Sequence, residues 1–482
     1  MQILSWIDRH TGLVGAIRPL INHPVPPGIG WYYVFGSATL VAFLIQVVTG
    51  IALASAYVVS SGQAYDSLQF ITRQSELGRI MRGVHFFGAS AMIILIGVHT
   101  IRVYLTGSFK FPREASWVSG AVLLLLTLLM GFTGQLLRWD QNGVWSSVIA
   151  AEQAGRAPGI GRWLAHFILA GDTVGGATLS RFFAAHVFFI PALIFAFVGL
   201  HLFLVLRNGI SEPPVSGKPV TENTELEYRQ LIHEQGEAFW PHAAWRDVVA
   251  AAVLVSAVIL LAIIVGPPEL GRPPDPTIIE AYPRPDWYLL WYFALLALIP
   301  RSIENYLIVW GPIAFGAIMI LLPFLFNRGE RSPARRPWAV GIVIAAIMTV
   351  ATLWVEGKRA PWSPDFSAPP LSADVVRASS GPVFDGAILF HKKGCEYCHR
   401  ISGFGGNRGP ELTRIGDRLT PDQLITRIVN GANNMPAYVN NLKPEELDSL
   451  VAFLASRKAV NEYESLEETS KPGSAAAERP GR

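Results

Sequence analysis

Four histidines lie inside apolar stretches of this sequence, His85 and His99 in one, His186 and His201 in another. An ionisable side chain is costly inside a membrane span and is by default a functional residue there. The first two stand 14 positions apart and the second two 15, close to four helical turns, so each pair falls near one helix face. At 1.5 Å per residue the members of a pair are about 21 Å apart along the axis, too far to share a metal ion. Two such helices facing each other would instead form two bis-imidazole sites stacked across the bilayer, the layout of two b-type haems. For a single histidine the alternative is one satisfied by packing between helices; four in matched register argue against it. Neighbouring segments carry Gly36 and Gly50, and Gly120 and Gly134, each pair again 14 apart. A flat macrocycle between helices needs positions without side chains, although glycine is also common wherever membrane helices pack.

A second chemical motif, GCEYCHR, holds both cysteines of the chain, Cys395 and Cys398. C-x-x-C-H reads as covalent attachment of one haem c, with His399 as an axial ligand. A redox disulfide and half of a zinc site are the alternatives; no second cysteine pair could complete the zinc site, and the adjoining histidine favours haem. Met435, in NNMPAY, stands 36 positions beyond His399 and is the candidate second ligand. His/Met ligation raises the reduction potential.

The elements that must position these residues are membrane helices. The chain has 482 residues, of which 51% are hydrophobic and 16% charged, and a mean hydropathy of +0.35, which places it in the membrane class. Apolar runs of about 20 residues predict seven spans, near 31–57, 81–104, 117–137, 183–206, 247–266, 305–326 and 338–355. The opening MQILSWIDRHTG reads as an interfacial amphipathic stretch and not as a cleavable signal, leaving the first span as the insertion signal. Lys110 and Arg113 in one connection, and Arg328, Arg331, Arg335 and Arg336 in another, assign those connections to the cytoplasm. The N-terminus is then cytoplasmic. An odd number of crossings leaves the C-terminus and its haem c outside a bacterial inner membrane, with His85 and His186 near the outer face. Topology accounts for the net charge of +3, so lipid and not nucleic acid is the expected surrounding.

The predicted fold is all-α, a seven-helix membrane bundle with a four-helix diheme core, followed by an all-α cytochrome c domain. A polar stretch from about 208 to 245 divides the first four helices from the last three. A Pro- and Ser-containing linker, 359–379, precedes the compact domain at 380–458, with a last helix from Pro444 to Ser456. The tail 459–482 is small and polar, and is expected to be disordered.

These residues resemble a known family over almost the whole chain. Residues 1–210 are similar to cytochrome b6, 211–358 to subunit IV of the cytochrome b6f complex, and 380–458 to a class I cytochrome c. HTIRVYLTGSFKFPREASWVSG, GFTGQLLRWDQ and LSRFFAAHVFFIPALIFAFVGLHLFLVLRNGISEPP carry the pattern. The 15-residue interval from His186 to His201 is similar to the b6 type; mitochondrial-type cytochrome b has one residue fewer. The resemblance implies that His85 and His186 ligate an outer haem b, and His99 and His201 an inner one. Arg82, Arg102 and Arg181 lie where such proteins pair arginines with haem propionates, ordinary flanking arginines being the alternative. Pro285, Asp286, Trp287 and Tyr288 resemble the PEWY signature of the quinol-oxidation site, with Asp in place of Glu. A carboxylate at the edge of an apolar pocket can accept a quinol proton, and burial raises its pKa toward the working range. A helix N-cap is the alternative role for Asp286. Two positions depart from the pattern. Val34 stands where cytochrome b6 has a cysteine that attaches an extra haem, so no third membrane haem is expected, and Arg138 replaces the usual proline.

The resemblance implies one subunit of a quinol:cytochrome c oxidoreductase. Quinol would be oxidised near the outer face, sending one electron to a Rieske iron-sulfur protein and on to the c haem. The other would cross both b haems to reduce quinone near the cytoplasm. No Cys/His pairs remain to bind a cluster, so the Rieske protein must be a separate chain; an oxidase, a soluble cytochrome c and a photosynthetic centre are all open as acceptor, and the family implies a homodimer. Two other readings compete. A diheme anchor passing electrons between a dehydrogenase and the quinone pool leaves three helices and PDWY unexplained, and a tethered cytochrome c on a docking scaffold leaves the four histidines unexplained.

Overall fold

A short helix, α1 (Gln2–Thr11), opens the computed structural model. The structure describes residues 2–459 except 13–14, 16–20, 172, 275–283, 361, 364, 366, 432–434, 436–437 and 439–440; the expected disordered tail lies outside the described residues from 460 onward. Seven helices are long and apolar enough to cross a membrane. In chain order they are α2 (Phe35–Ala56), α3 (Glu76–Leu105) and α4 (Glu114–Leu136), then, after the shorter α5 (Gln141–Gly155), α6 (Gly176–Asn208) and α7 (Ala244–Ile264). The short α8 (Leu290–Leu298) precedes the last two, α9 (Arg301–Leu325) and α10 (Pro337–Arg359). Each predicted span coincides with one of them. Their large apolar side chains face outward, among them Ile313, Ile318 and Leu321 on α9 and Ile342, Ile344 and Ile347 on α10. Apolar surface on that scale is stable only against lipid, so this is a multi-pass membrane protein.

The chain divides into two units, residues 1–358 and 359–482. In the first, α2 packs on α3 and α4 on α6, with α7 against α2 and α3 and α9 against α4. A cluster of Ala42, Phe43, Met92, Ile190 and Ile194 fills the middle of the four-helix core. Small residues allow close approach: a Cβ on Gly83 of α3 would lie 2.9 Å from Cβ of Ala262 on α7. Ser75 caps α3, its Oγ accepting from Gly78 N at 3.0 Å. Helix α6 contains a π turn, Ala185–Phe189, in which Ile190 N donates to the carbonyl of Ala185. Two short strands, β1 (Pro24–Val25) and β2 (Glu237–Ala238), pair antiparallel.

The basic connections are packed into the fold. Lys110, Arg113, Arg331 and Arg336 are buried. Lys110 Nζ donates to the carbonyls of Phe326 at 2.8 Å and Arg328 at 2.5 Å, which caps the C-terminal end of α9. Arg331 pairs with Glu212 at 2.5 Å. Burial, reinforced by Arg336 and Arg331, brings Lys110 down to about 8.

Among the described residues the second unit is all-α apart from a ladder between β3 (Arg400–Ile401) and β4 (Phe404–Gly405). Helices α11 (Pro382–Lys392), α12 (Pro421–Asn430) and α13 (Pro444–Ala455) enclose Phe390, Ile401, Leu450 and Phe453. A Cβ on Gly386 would lie 2.0 Å from the Ser449 carbonyl, so α11 crosses α13 at a contact that admits only glycine.

Candidate functional site

The four histidines fall into two pairs drawn from α3 and α6, each in its own cavity. His85 and His186 have ring centroids 6.3 Å apart and line a cavity of about 700 Å³ with Gly50, Gly134 and Arg82. His99 and His201 line one of about 390 Å³ with Gly36, Gly120 and Arg102. Phe43, Met92, Thr127 and Ile194 line both and form the partition. Each of the four glycines faces one histidine. A Cβ on Gly36, Gly50, Gly120 or Gly134 would lie 3.1, 3.4, 3.3 or 2.6 Å from Cε1 of His99, His85, His201 or His186 respectively.

Three hydroxyls set the tautomers. Thr49 Oγ1 donates its proton to the Ile45 carbonyl at 2.6 Å and stands 2.9 Å from His85 Nδ1. Ser119 does the same with the Ser116 carbonyl and His201 Nδ1, both at 2.9 Å, and Thr133 with the Leu129 carbonyl at 3.0 Å and His186 Nδ1 at 3.1 Å. With that one proton on the carbonyl, each hydroxyl accepts from Nδ1–H. Nε2 is then the ring nitrogen with a free lone pair, the one a metal can take.

The expected propionate partners divide. Arg82 is buried and donates to Thr72 Oγ1 at 3.1 Å. Arg102 stacks 3.8 Å above the Tyr33 ring, while its Nε and Nη2 are buried without partners among the described residues. Arg181 is turned away: it is exposed, lies over Phe167 and lines neither cavity.

The PDWY segment enters the cavity of His85 and His186, which Asp286 and Tyr288 both line. Gln135 Oε1 accepts from Asp286 N at 2.7 Å, and Asn142 exchanges two hydrogen bonds with the Arg284 backbone, at 2.8 and 2.7 Å. Trp287 Nε1 donates to Ser90 Oγ at 3.2 Å. Pro285 lies between these anchors, outside both cavity walls. Asp286 stands at the start of the turn Trp287–Leu289, yet its carboxylate makes no capping hydrogen bond. It faces Arg138 instead, with Nη1 at 3.4 Å from Oδ1. Burial raises the Asp286 carboxyl above its ordinary range, and Arg138 opposes that rise. The Tyr288 hydroxyl is buried without a partner among the described residues; burial and the neighbouring Asp286 raise its pKa.

In the second unit, Pro410 O accepts from His399 Nδ1 at 2.9 Å, again leaving Nε2 available. A Cβ on Gly409 would lie 2.5 Å from that ring. Cys395 and Cys398 are unpaired. Burial pushes the Cys395 thiol up to about 12, opposite to the lowered pKa of redox-active C-x-x-C pairs. Met435 packs against the domain core.

Such an arrangement has known relatives. The chain is 37% identical over 212 residues to the cytochrome b6 of Synechococcus sp. (strain JA-3-3Ab), an overlap of 44% of this chain and 99% of the relative. It is 38% identical to that of Heliobacterium mobile, covering 44% of this chain and all of the relative. The family model described as cytochrome b/b6/petB matches residues 20–209. The chain belongs to the cytochrome b/b6 family. The model for cytochrome b(C-terminal)/b6/petD matches 274–369 of this cytochrome b, and that for cytochrome C oxidase, cbb3-type, subunit III matches 383–454. A cytochrome c domain is therefore fused to the membrane part. A solved structure described as a hyperthermophilic respiratory Complex III superposes with a TM-score of 0.62 at 25% identity, covering 74% of this chain and 91% of that one.

Domains of these kinds hold haem b and haem c, and the residues present in this cytochrome b fit those groups. Four glycine faces, three imidazoles committed through Nδ1 and the unpartnered Arg102 nitrogens are what a dianionic macrocycle between helices requires. Sequence reasoning missed Thr49, Ser119, Thr133, Gln135 and Asn142. Gln135 and Asn142 carried a usable signal, since a side-chain amide within or beside an apolar span needs a partner.

Proposed function

We propose that this chain is the cytochrome b and c subunit of a quinol:cytochrome c oxidoreductase. In this reading it oxidises quinol at the outer face, divides the two electrons between a Rieske iron-sulfur partner and the membrane domain, and releases the protons outward. The observation that carries the reading is a carboxylate and a phenol, Asp286 and Tyr288, at the wall of the cavity that also contains His85 and His186. When bound, two haems b at the histidine pairs and one haem c on Cys395 and Cys398 supply one-electron redox capacity across the bilayer and at the outlet. His85 with His186, His99 with His201, and His399 with Met435 are the iron ligands proposed. Arg82 and Arg102 would meet carboxylate groups of the macrocycles.

The chain's own contribution is proton handling and shape. Gln135 and Asn142 hold the PDWY backbone. Asp286 accepts the quinol proton, Tyr288 offers a hydrogen bond to a quinol oxygen, and the apolar walls exclude water. In this reading the N-terminus is cytoplasmic and the cytochrome c domain lies on the outer side of a bacterial inner membrane, an orientation supported by the basic residues of the Lys110 and Arg331 connections. A homodimeric complex, with a soluble cytochrome c or a terminal oxidase as acceptor, completes the reading. The test compares Asp286→Asn and Asp286→Glu in steady-state quinol:cytochrome c activity at matched haem content. Loss in the first, about 10²–10⁴-fold for a general base, with retention in the second, supports it. Full activity of Asp286→Asn at every pH removes Asp286 from the mechanism.

A further inference from the structure

Arg138 occupies the turn between α4 and α5, close to two carboxylates that feel each other's charge, Asp140 and Asp286. One is already committed: Asp140 Oδ1 accepts from Gly143 N at 2.8 Å and Oδ2 from Gly271 N at 2.9 Å. The other, Asp286, stands 3.4 Å from Arg138 Nη1, and both side chains are about four-fifths buried, at 18% and 22% exposed. Hydrogen-bonded ion pairs close to about 2.7–2.9 Å, so this contact is charge-stabilised without being locked. Arg138 Nε and Nη2 are buried with no partner among the described residues. Among the described residues, Arg82 and the phenol of Tyr288 also face the pair, with the imidazoles of His85 and His186 in the same cavity.

We propose that Arg138 is a positioning residue of the quinol site, holding the Asp286 carboxylate ionised and turned to the cavity wall until a quinol proton replaces the guanidinium as its partner. The inference rests on the quinol-site reading above. In the step, a quinol O–H bond breaks and an O–H bond to Asp286 forms. The bonding pair stays on the quinol oxygen, from which electrons leave to the iron-sulfur partner and the membrane domain. Proton transfer loosens the ion pair, and release of that proton to the outer water restores it.

An opposite charge at this distance lowers a carboxyl pKa by about one to three units, and partial exposure favours the lower end. The test is the pH profile of quinol:cytochrome c activity, measured on the haem-replete protein with its iron-sulfur partner. Arg138→Gln should move the acid limb up by about one pH unit, a roughly tenfold loss below the limb, with the alkaline plateau kept within a few-fold. Arg138→Lys should return the limb toward its original place, and Arg138→Gln should cause no shift when combined with Asp286→Asn. Should the glutamine variant fail to assemble, Arg138→Pro supplies a neutral residue usual at this position in related proteins, and the same shift is expected. An unmoved limb in the neutral variants overturns the proposal, as does a shift that persists with Asp286→Asn. A drop in the midpoint potential of the outer b haem with an unmoved limb assigns Arg138 to the haem and also overturns it. Failure of the quinol-site reading looks different: Asp286→Asn alone then retains full activity.

Discussion

Replacing Gly134 by alanine should cost the protein its outer haem b while Gly50→Ala leaves it in place, although both glycines line the same cavity. Ordinary contact with an added Cβ begins at 3.4 Å. At Gly134 the Cβ would stand 2.6 Å from His186 Cε1, an overlap of 0.8 Å, whereas at Gly50 the distance to His85 is already 3.4 Å. The His186 ring has little room to yield, because its Nδ1 is held by Thr133 Oγ1 and by the Met130 carbonyl, both at 3.1 Å. Overpacking of this kind costs about 1–3 kcal/mol, or roughly 5- to 140-fold in haem retention. Gly36 at 3.1 Å and Gly120 at 3.3 Å fall between. Pyridine haemochrome spectra give the ratio of b to c haem, with the covalent haem as internal reference. The expected ratio falls from two toward one in Gly134→Ala, dips in Gly36→Ala and stays near two in Gly120→Ala and Gly50→Ala. Loss from Gly50→Ala with a full complement in Gly134→Ala would refute the assignment of these glycines to haem faces.

Thr133→Val removes one of the two acceptors of His186 Nδ1–H and leaves the Met130 carbonyl, so it should weaken outer haem binding by about tenfold, the lower end of the usual effect of losing a ligand's outer partner; haem extraction followed spectrally measures it. Gln135→Leu leaves Asp286 N unpaired, a cost of about 1–3 kcal/mol, and should reduce kcat/KM for quinol roughly tenfold while both b haem spectra hold. Burial raises the Asp286 carboxyl, so the ionised base is lost as pH falls through a value above the ordinary 3.8. Quinol oxidation should accordingly decline on the acid side at a higher pH than a solvent-exposed carboxylate would give, and that limb should vanish in Asp286→Asn. Gly386→Ala drives a Cβ to 2.0 Å from the Ser449 carbonyl and should lower the melting temperature of the cytochrome c domain by roughly 4–8 °C per kcal/mol of strain, followed by loss of its reduced haem band.

The histidines were readable because a helix turns a fixed angle per residue, so spacing alone reports a shared face. The glycines followed by the same arithmetic, and the seven spans followed from apolar length. Thr49, Ser119 and Thr133 were not readable, since a hydroxyl in a span satisfies itself on the preceding turn and carries no sign of a second partner. Gln135 reaches Asp286 across 151 residues and Asn142 reaches Arg284 across 142, contacts that no local pattern encodes. The family resemblance suggested a propionate partner in Arg181, which lines neither cavity and sits as a flanking arginine, the alternative weighed for it. The basic connections showed the opposite failure: their charge suggested a side of the membrane, but only packing revealed that Lys110 and Arg331 tie distant loops together.

The π turn at Ala185–Phe189 gives the interval between His186 and His201 an evolutionary meaning. Inserting one residue into a straight α-helix rotates everything beyond it by about 100°, which would swing one histidine out of its cavity. A π turn takes up a single extra residue locally, so the helix from Ile190 onward keeps the phase that a 14-residue interval would give. Families with 14 and 15 residues between these ligands can therefore be separated by one codon without passing through a form that lacks a haem. Deleting Val187 from this protein should straighten the helix into an uninterrupted α form and leave both b haems bound, whereas deleting Val198, beyond the turn, should lose one of them in the same haemochrome assay.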